Sequence, residues 1–479
     1  MSQINQMNSR LFQIFTLGCK VNQYESEEIR QALLDAGFSP IEKKTDTQKK
    51  VLSHDEKNTV EDSLPPADHS GEMDLATHAA HPEWIIVNTC AVTLESEAKS
   101  RKLIRQLIKR NQPKNMLVFG CSAENNTEQY AQIPGVTHVI TGKEHGGNRV
   151  AAVLDAIGLN SDIRERSLKN GLRKFGERHR AYVKVQDGCK QFCSYCLIPH
   201  LRNELTSVPV NEVIDEIRSL LNHGYREIVL TGIHLGYYGI NPRSRTQNLW
   251  TIEDRTRPRE TNLTKLMECL AKMKMADGKD CPEFRLRLSS LEAHEAGDDL
   301  LQIMAENRER ICPHLHLSMQ SGSPAVHRRM NRPGTVEQYV ERCEAAKKIL
   351  DLPALTTDII VGFPGETEKE FLETCDVVRK IGFSKIHIFP FSPRPGTPAE
   401  KMDGFIPGEE KHRRELYLAE IERETHAKFV ESLNKRKKPS QFLIERFHPE
   451  TASVTGTSEY YLHDEFPGTP EDVGKFLWR

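Results

Sequence analysis

The stretch AYVKVQDGCKQFCSYC, residues 181–196, decides the architecture. Its first half reads as a strand, and its second half places Cys189, Cys193 and Cys196 at CxxxCxxC spacing on the loop directly after it. Three thiolates on one tight loop can hold three irons of a cubane and leave the fourth iron without a protein ligand. A zinc reading needs a fourth donor near by. His200 is four residues on, but the two unequal spacings are unusual for a zinc knuckle.

Downstream, the strand-then-helix grammar repeats. Apolar runs EIVLTG, FRLRLSS, HLHLSMQ, LTTDIIVGF and SKIHIFPFS alternate with helical patterns near 210–223, 263–276, 298–309, 335–350 and 367–381. Six βα-like units in a row predict a central partial (βα)6 barrel over 181–404. Polar insertions near 240–262 and 277–282 read as surface loops. A charged amphipathic helix is predicted at 405–434, and the pieces FLIERF, ASVTGT and YYLH predict a small C-terminal β module over 435–479.

Upstream, residues 10–157 show βαβ grammar of their own: FQIFTLG, NQYESEEIRQALLDAGF, WIIVN, ESEAKSRKLIRQLIKR, MLVFG and VTHVIT predict an α/β, flavodoxin-like domain with a parallel sheet. The pattern stops over 44–83, a polar stretch with Pro65-Pro66 that is too poor in apolar residues to fold alone and is expected to be a mobile insertion. Residues 158–180 turn basic and are expected to be a linker.

Bulk properties exclude more than they select. The 479 residues suffice for about three domains. Charges nearly cancel, 66 basic against 68 acidic, so any grip on nucleic acid must come from a local patch. No apolar run approaches the ~20 residues of a membrane helix, and the start, MSQINQMNSRLFQIF, lacks the order of a signal peptide. A cytoplasmic, non-membrane protein is expected. Eleven cysteines in such a chain point to metals or catalysis rather than to a disulfide framework.

Three more cysteines stand out by position. Cys19, Cys90 and Cys121 each end a predicted strand, in FTLGC, IIVNTC and LVFGC, and a parallel sheet would bring all three to one edge. The plain alternative is that each is a small buried apolar residue. Cys269, Cys281, Cys312, Cys343 and Cys375 show no paired spacing and are assigned no chemistry.

CxxxCxxC with Tyr195 before the last Cys resembles the radical S-adenosylmethionine (SAM) signature. The whole pattern resembles the methylthiotransferase family: TLGCKVNQYES, VNTCAVT, FGC, CxxxCxxC, then LTGIHLGYYG, RLRLSSLEAHE, PHLHLSMQSGS, RRMNRPG, DIIVGFPGETE and HIFPFSPRPGTPAE, along roughly 12–400. The LGCKVNQYES opening is most similar to the MtaB type, which acts on threonylcarbamoyladenosine in tRNA. The resemblance implies two [4Fe-4S] clusters and SAM. A cluster on Cys189, Cys193 and Cys196 would reduce SAM to a 5′-deoxyadenosyl radical that abstracts the C2 hydrogen of the adenine, and a second on Cys19, Cys90 and Cys121 would hold the sulfur that is methylated and delivered. It also implies an external electron donor, and a monomer is expected.

Candidate SAM contacts are strand-end polar residues: Thr231 and Gly232, Ser289 and Ser290, Gln320 and Ser321, and Asp358. For Ser289, Ser290 and Asp358 a role in the barrel core or in a turn explains the residue equally well. The substrate nucleotide must leave its stack, so a grip on the phosphates of the tRNA anticodon stem-loop is expected. Arg173, Lys174, Arg178 and Arg180, or Arg101, Lys102, Arg105, Lys109 and Arg110, are candidates, with a solvated face as the alternative. The family's C-terminal β domain, TRAM, normally helps bind RNA, but residues 436–479 carry six Lys/Arg against seven Asp/Glu and the module is short. His314 and His316 are expected to pack inside the barrel. Rival readings are methylthiolation of isopentenyl-adenosine in tRNA or of a ribosomal protein and, from another class, a non-catalytic iron–sulfur protein that binds RNA.

Overall fold

The computed structural model describes residues 10–41, 82–176, 178–240 and 261–479. The insertion expected over 44–83 lies outside them except for Pro82 and Glu83, as does nearly all of the insertion near 240–262. The chain divides into two compact units, Met1–Leu168 and Lys169–Arg479.

The first unit is built on β1 (Leu11–Thr16), β2 (Ser39–Pro40), β3 (Trp84–Thr89), β4 (Asn115–Gly120) and β5 (His138–Val139). They pair in the order β2-β1-β3-β4-β5, all parallel. Central β3 is buried at every position because both sheet faces are covered. Ile86, Leu117 and Phe119 pack under the helices Lys20–Asp35 and Arg149–Ala156, while Ile85, Val87, Met116 and Val118 pack under the helix Leu94–Asn111. Thr93 caps this last helix by accepting a hydrogen bond from the Ser96 amide. Its acids Glu95 and Glu97 sit in the first turn and its bases Lys109 and Arg110 in the last, each sign where the helix dipole favours it. The stretch expected to be a linker, 158–180, contains the helix Ser161–Asn170.

The second unit opens with β6 (Arg180–Asp187), and β7 (Thr206–Ser207) runs antiparallel along its outer side. Then follow β8 (Glu227–Gly232), β9 (Arg285–Leu288), β10 (Ser290–Leu291), β11 (His314–Leu317), β12 (Ala354–Val361) and β13 (Lys385–Pro390). β6, β8 and β9 pair in parallel, as do β10, β11, β12 and β13. Only Ser289 separates β9 from β10, and Leu286 of β9 bridges in parallel to Ile311 ahead of β11, so six strand positions follow one another in one direction. Helices after these strands cover one face. On β12, Leu355, Thr357 and Ile359 are buried, and Tyr339 of the helix Val336–Leu350 donates to the Thr357 hydroxyl. Thr356, Asp358 and Ile360 therefore turn to the opposite, inner face.

The helix expected at 263–276 ends at Ala271, because Asp277-Gly278 supplies a turn that Lys274 and Asp280 close by an antiparallel bridge. The long helix Gly408–Lys435 packs against β13. The chain then forms β14 (Gln441–His448), β15 (Ser453–Ser458), β16 (His463–Pro467) and β17 (Phe476–Trp478), an antiparallel sheet in the order β16-β15-β14-β17. A buried ion cluster bolts this sheet to the parallel strands. Glu227 accepts from Arg285 Nε at 2.7 Å and from Arg287 Nε at 2.8 Å, and the two guanidiniums donate onward to the carbonyls of Gln441, Thr457, Ser458 and Glu459. Among the described residues no helix is long and apolar enough to cross a membrane.

Candidate functional site

The loop bearing Cys189, Cys193 and Cys196 leaves the C-terminal end of β6 and is clamped at its root. The Cys189 amide donates to Arg202 O at 2.9 Å, and the Arg202 guanidinium holds both oxygens of Asp187 at 2.9 and 3.0 Å. Cys189 and Cys193 are buried. Donors converge on their sulfurs: the Gln191 amide on Cys189 at 3.3 Å, Gln191 Nε2 on Cys193 at 3.3 Å, and Arg332 Nη1 on Cys193 at 3.5 Å. His234 Nδ1 lies 3.5 Å from Cys189 Sγ, with its Nε2 on Glu295 and its ring stacked 4.0 Å from that of Tyr237.

Electrostatics follow from this packing. Burial pushes the Cys196 thiol up to about 12, with the neighbouring Cys193 and Cys189 adding to the rise, so metal binding rather than solvent is what would ionise it. Burial works against charging His234, but the Cys189 sulfur and the Glu295 carboxylate outweigh it and raise the imidazole to about 10. Arg332 is held firmly cationic although buried, because Tyr195, Glu292 and Cys193 surround it. It also donates to Glu292 at 2.5 Å and to Ser318 O at 2.6 Å.

N–H donors aimed at thiol sulfurs, with a cation among them, suit an anionic iron–sulfur cluster. They suit one zinc ion less well. Among the described residues, the set of three His, Cys, Asp or Glu groups whose ligand atoms all lie within 4.8 Å is His316, Asp358 and His387, not either cysteine triad. His200, the fourth donor a zinc reading would need, packs its ring on Phe192.

The SAM candidates spread over the strand ends of the same unit. Thr231 and Gly232 close β8, and the Gln186 side chain that adjoins Gly232 accepts from the His234 amide at 2.7 Å. Ser289 Oγ is buried without a hydrogen-bond partner, a hydroxyl still able to serve a ligand, and Ser290 beside it is exposed. Gln320 follows β11 in a left-handed conformation, φ 68°, and its backbone pairs with β12. The Ser321 hydroxyl is within 3.2 Å of Thr374 Oγ1 and accepts from the Ser323 amide, so packing already employs it. Asp358 sits in mid-strand on the inner face, where its carboxylate lies 3.2 Å from His316.

In the first unit Cys19, Cys90 and Cys121 follow the C-terminal ends of β1, β3 and β4, three adjacent strands. The turn into Cys19 requires glycine: Gly18 has φ 114°, and a Cβ there would lie 3.0 Å from Cys90 Cβ and 3.2 Å from its sulfur. A polar lattice ties the strand ends together. Asn22 Nδ2 donates to Leu17 O, Asn88 Oδ1 and Thr89 O, Asn88 Nδ2 donates to Asn22 O at 2.9 Å, and Thr89 Oγ1 links Phe119 O to the Ala123 amide. Among the basic candidates, Lys102, Arg105, Lys109 and Arg110 are exposed along one helix, whereas Arg180 is tied to Glu445 at 2.9 Å.

Gln191, His234, Glu292, Glu295 and Arg332 around the clustered sulfurs, and Asn22, Asn88 and Thr89 in the first unit, are absent from the site expected from sequence. They lie inside the quoted motifs, but only the fold shows which of those residues meet.

The radical SAM superfamily pattern matches residues 183–378, and that of the uncharacterized protein family UPF0004 matches 62–142. The threonylcarbamoyladenosine tRNA methylthiotransferase MtaB of Bacillus subtilis is 31% identical over 96% of this chain and 91% of its own length. Its namesake from Thermotoga maritima is 30% identical over 97% and 92%. Among solved structures, the radical SAM methyltransferase TsrM of Kitasatospora setae superposes with a TM-score of 0.52 over 86% of this chain and 89% of that one, at 13% identity, a likeness of fold alone. Identity near 30% along almost the whole of both chains, with the cysteine loop placed at the end of the first parallel strand of its unit, makes this protein a member of the MtaB-type radical SAM methylthiotransferases.

Proposed function

We propose that the protein methylthiolates C2 of N6-threonylcarbamoyladenosine at position 37 of tRNA, giving the 2-methylthio nucleoside. The observation that carries this reading is the chain-long identity to curated MtaB enzymes, joined to the CxxxCxxC loop at the end of β6. A C2–H bond of an adenine is too unreactive for acid–base or nucleophilic chemistry. A [4Fe-4S] cluster on Cys189, Cys193 and Cys196 supplies, when bound with SAM, the electron for radical formation.

The chain's own residues have defined work beside it. Gln191, Arg332 and His234 orient and stabilise the thiolates, while Tyr195, Phe363 and Phe391 exclude water from the loop's apolar flank. Thr231, Gly232, Ser289, Ser290, Gln320 and Ser321 would hold SAM, Ser289 through its unused hydroxyl and Ser321 through its backbone, whereas Asp358, the other candidate, lies in mid-strand beside His316 and is given a different role below. The six parallel strands would be a partial (βα)6 barrel, and the first unit a flavodoxin-like domain. Cys19, Cys90 and Cys121 would hold the second cluster, which supplies the sulfur. Support for that comes from their placement on three adjacent strand ends and from the room Gly18 leaves beside Cys90. Lys102, Arg105, Lys109 and Arg110 would meet phosphates of the anticodon stem-loop. An external donor would supply electrons to a monomeric enzyme. The antiparallel C-terminal sheet would be a TRAM-like module, although its near balance of charge leaves it little attraction for RNA.

Mass spectrometry of tRNA nucleosides from cells with and without the gene tests the activity. Loss of 2-methylthio-threonylcarbamoyladenosine, with its unmodified precursor accumulating, is expected. Its persistence in a deletion strain with no second methylthiotransferase would end the reading.

A further inference from the structure

Three residues on adjacent strands of the second unit converge outside the cysteine loop. The β11–β12 register sets His316 opposite Thr356, and the β12–β13 register sets Asp358 opposite His387. Alternation puts all of them on the inner face, away from the helices. Their ligand atoms all lie within 4.8 Å of one another, and each residue is half-buried, so a solute can reach them.

The geometry is that of a coordination shell. His316 Nε2 and an Asp358 oxygen are 3.2 Å apart, and the two imidazole rings are 5.6 Å apart at 33°. Donors bound to one ion at about 2.0–2.2 Å stand roughly 3 Å from each other. Thr356 Oγ1 lies 3.0 Å from His316 Nδ1, an anchor that fixes the ring and leaves Nε2 toward the carboxylate. A simple ion pair of His316 with Asp358 does not require a second imidazole at the same point.

We propose that His316, Asp358 and His387 hold a divalent first-row metal ion whose open coordination positions take the carboxylate of the substrate's threonyl group. Two neutral imidazoles and one carboxylate leave a dication with a net positive charge, and three protein donors leave at least one position open. The carboxylate step rests on the threonylcarbamoyl reading above, because adenosine and isopentenyl-adenosine carry no such group. The cation site does not depend on it.

Manganese(II) is the probe, since it favours nitrogen and oxygen donors over thiolates. It is titrated anaerobically into the full chain with its iron–sulfur clusters in place, so that the cysteines are occupied, and free ion is read by electron paramagnetic resonance. One saturable site is expected, weakened by roughly 100-fold or more in Asp358→Asn and in His387→Gln, and by roughly 10–100-fold in Thr356→Val, which removes no ligand. Iron content and circular dichroism establish that each variant is folded. Binding as tight in all three folded variants as in the parent, or no saturable binding in the parent, overturns the site. Threonylcarbamoyladenosine nucleoside should then tighten manganese binding about 10-fold, and adenosine should not. A bound ion indifferent to that nucleoside overturns the carboxylate step alone, and the tRNA nucleoside profile separately judges the activity.

Discussion

Replacing Glu227 with leucine should loosen the C-terminal sheet far more than any surface change. The carboxylate is fully buried and balances Arg285 and Arg287, each 2% exposed, which in turn carry the hydrogen bonds to the carbonyls of Gln441, Thr457, Ser458 and Glu459. Removing one partner of a buried ion cluster costs about 3–5 kcal/mol, because the remaining charge stays buried without compensation. That is a large share of the ~5–15 kcal/mol that holds a typical domain together. At about 1.4 kcal/mol per factor of ten, amide exchange in β8, β9, β14 and β15 should accelerate by roughly two to four orders of magnitude. Amides of β3 in the first unit should be unaffected. A pH series gives the sign. Burial pushes the Glu227 pKa up, but Arg285, Arg287 and Arg180 outweigh it and hold the carboxyl well below the usual range. Its contribution is therefore fully present above the unfolded value of ~4.3 and is lost as pH falls from there toward the folded value. The gap between parent and Glu227→Leu should be constant from about pH 5 to 8 and narrow below about pH 4. Less than tenfold faster exchange in β14 and β15, or equal acceleration in β3, would refute the argument.

Cys19→Ala should spare 5′-deoxyadenosine production yet abolish methylthio product, whereas Cys193→Ala should abolish both; equal loss of SAM cleavage would remove the division of labour between the two triads. Gly120→Ala forces an L-residue to φ 99° and puts a Cβ 2.4 Å from Asn88 Oδ1 and 2.5 Å from Thr89 O, beside Cys121. The reconstituted variant should lose one cluster, about four irons per chain, and full iron content would contradict that. Arg332→Gln removes a cation from the Cys193 sulfur, so the cluster's midpoint potential, read by paramagnetic resonance during a redox titration, should fall; an unchanged or higher potential would exclude Arg332 from tuning it.

How far the sequence could be read depended on what each residue type is able to do. Three cysteines at CxxxCxxC after a strand have few structural explanations, so the loop and its place at the end of a strand were legible before the fold was known. The same holds for the parallel character of the first sheet, since WIIV and MLVFG are apolar throughout, as strands covered on both faces tend to be. The helix expected at 263–276 overran because Met273 and Met275 continue an apolar pattern that the Asp277-Gly278 turn cuts short.

Arginine, glutamate and histidine were the harder case. In FRLRLSS the alternation announces a strand with one polar face, and solvent is the ordinary partner for such a face. Here Arg285 and Arg287 face Glu227 and the carbonyls of a sheet more than 150 residues further along the chain, so the polar face of this strand is the mount of another module. Arg332 shows the opposite outcome in the same chemistry, a buried guanidinium placed on the Cys193 sulfur. A guanidinium serves equally as a mount and as a site residue, and the difference lies in what stands opposite it. Local sequence carries that information for a ligand such as cysteine, whose partner is an ion, and omits it for residues whose partners are other side chains. The inner-face set of His316, Asp358 and His387 belongs to this second kind: PHLHL, DIIVG and SKIHIF each read as core strands alone, and only their register makes the three residues one site.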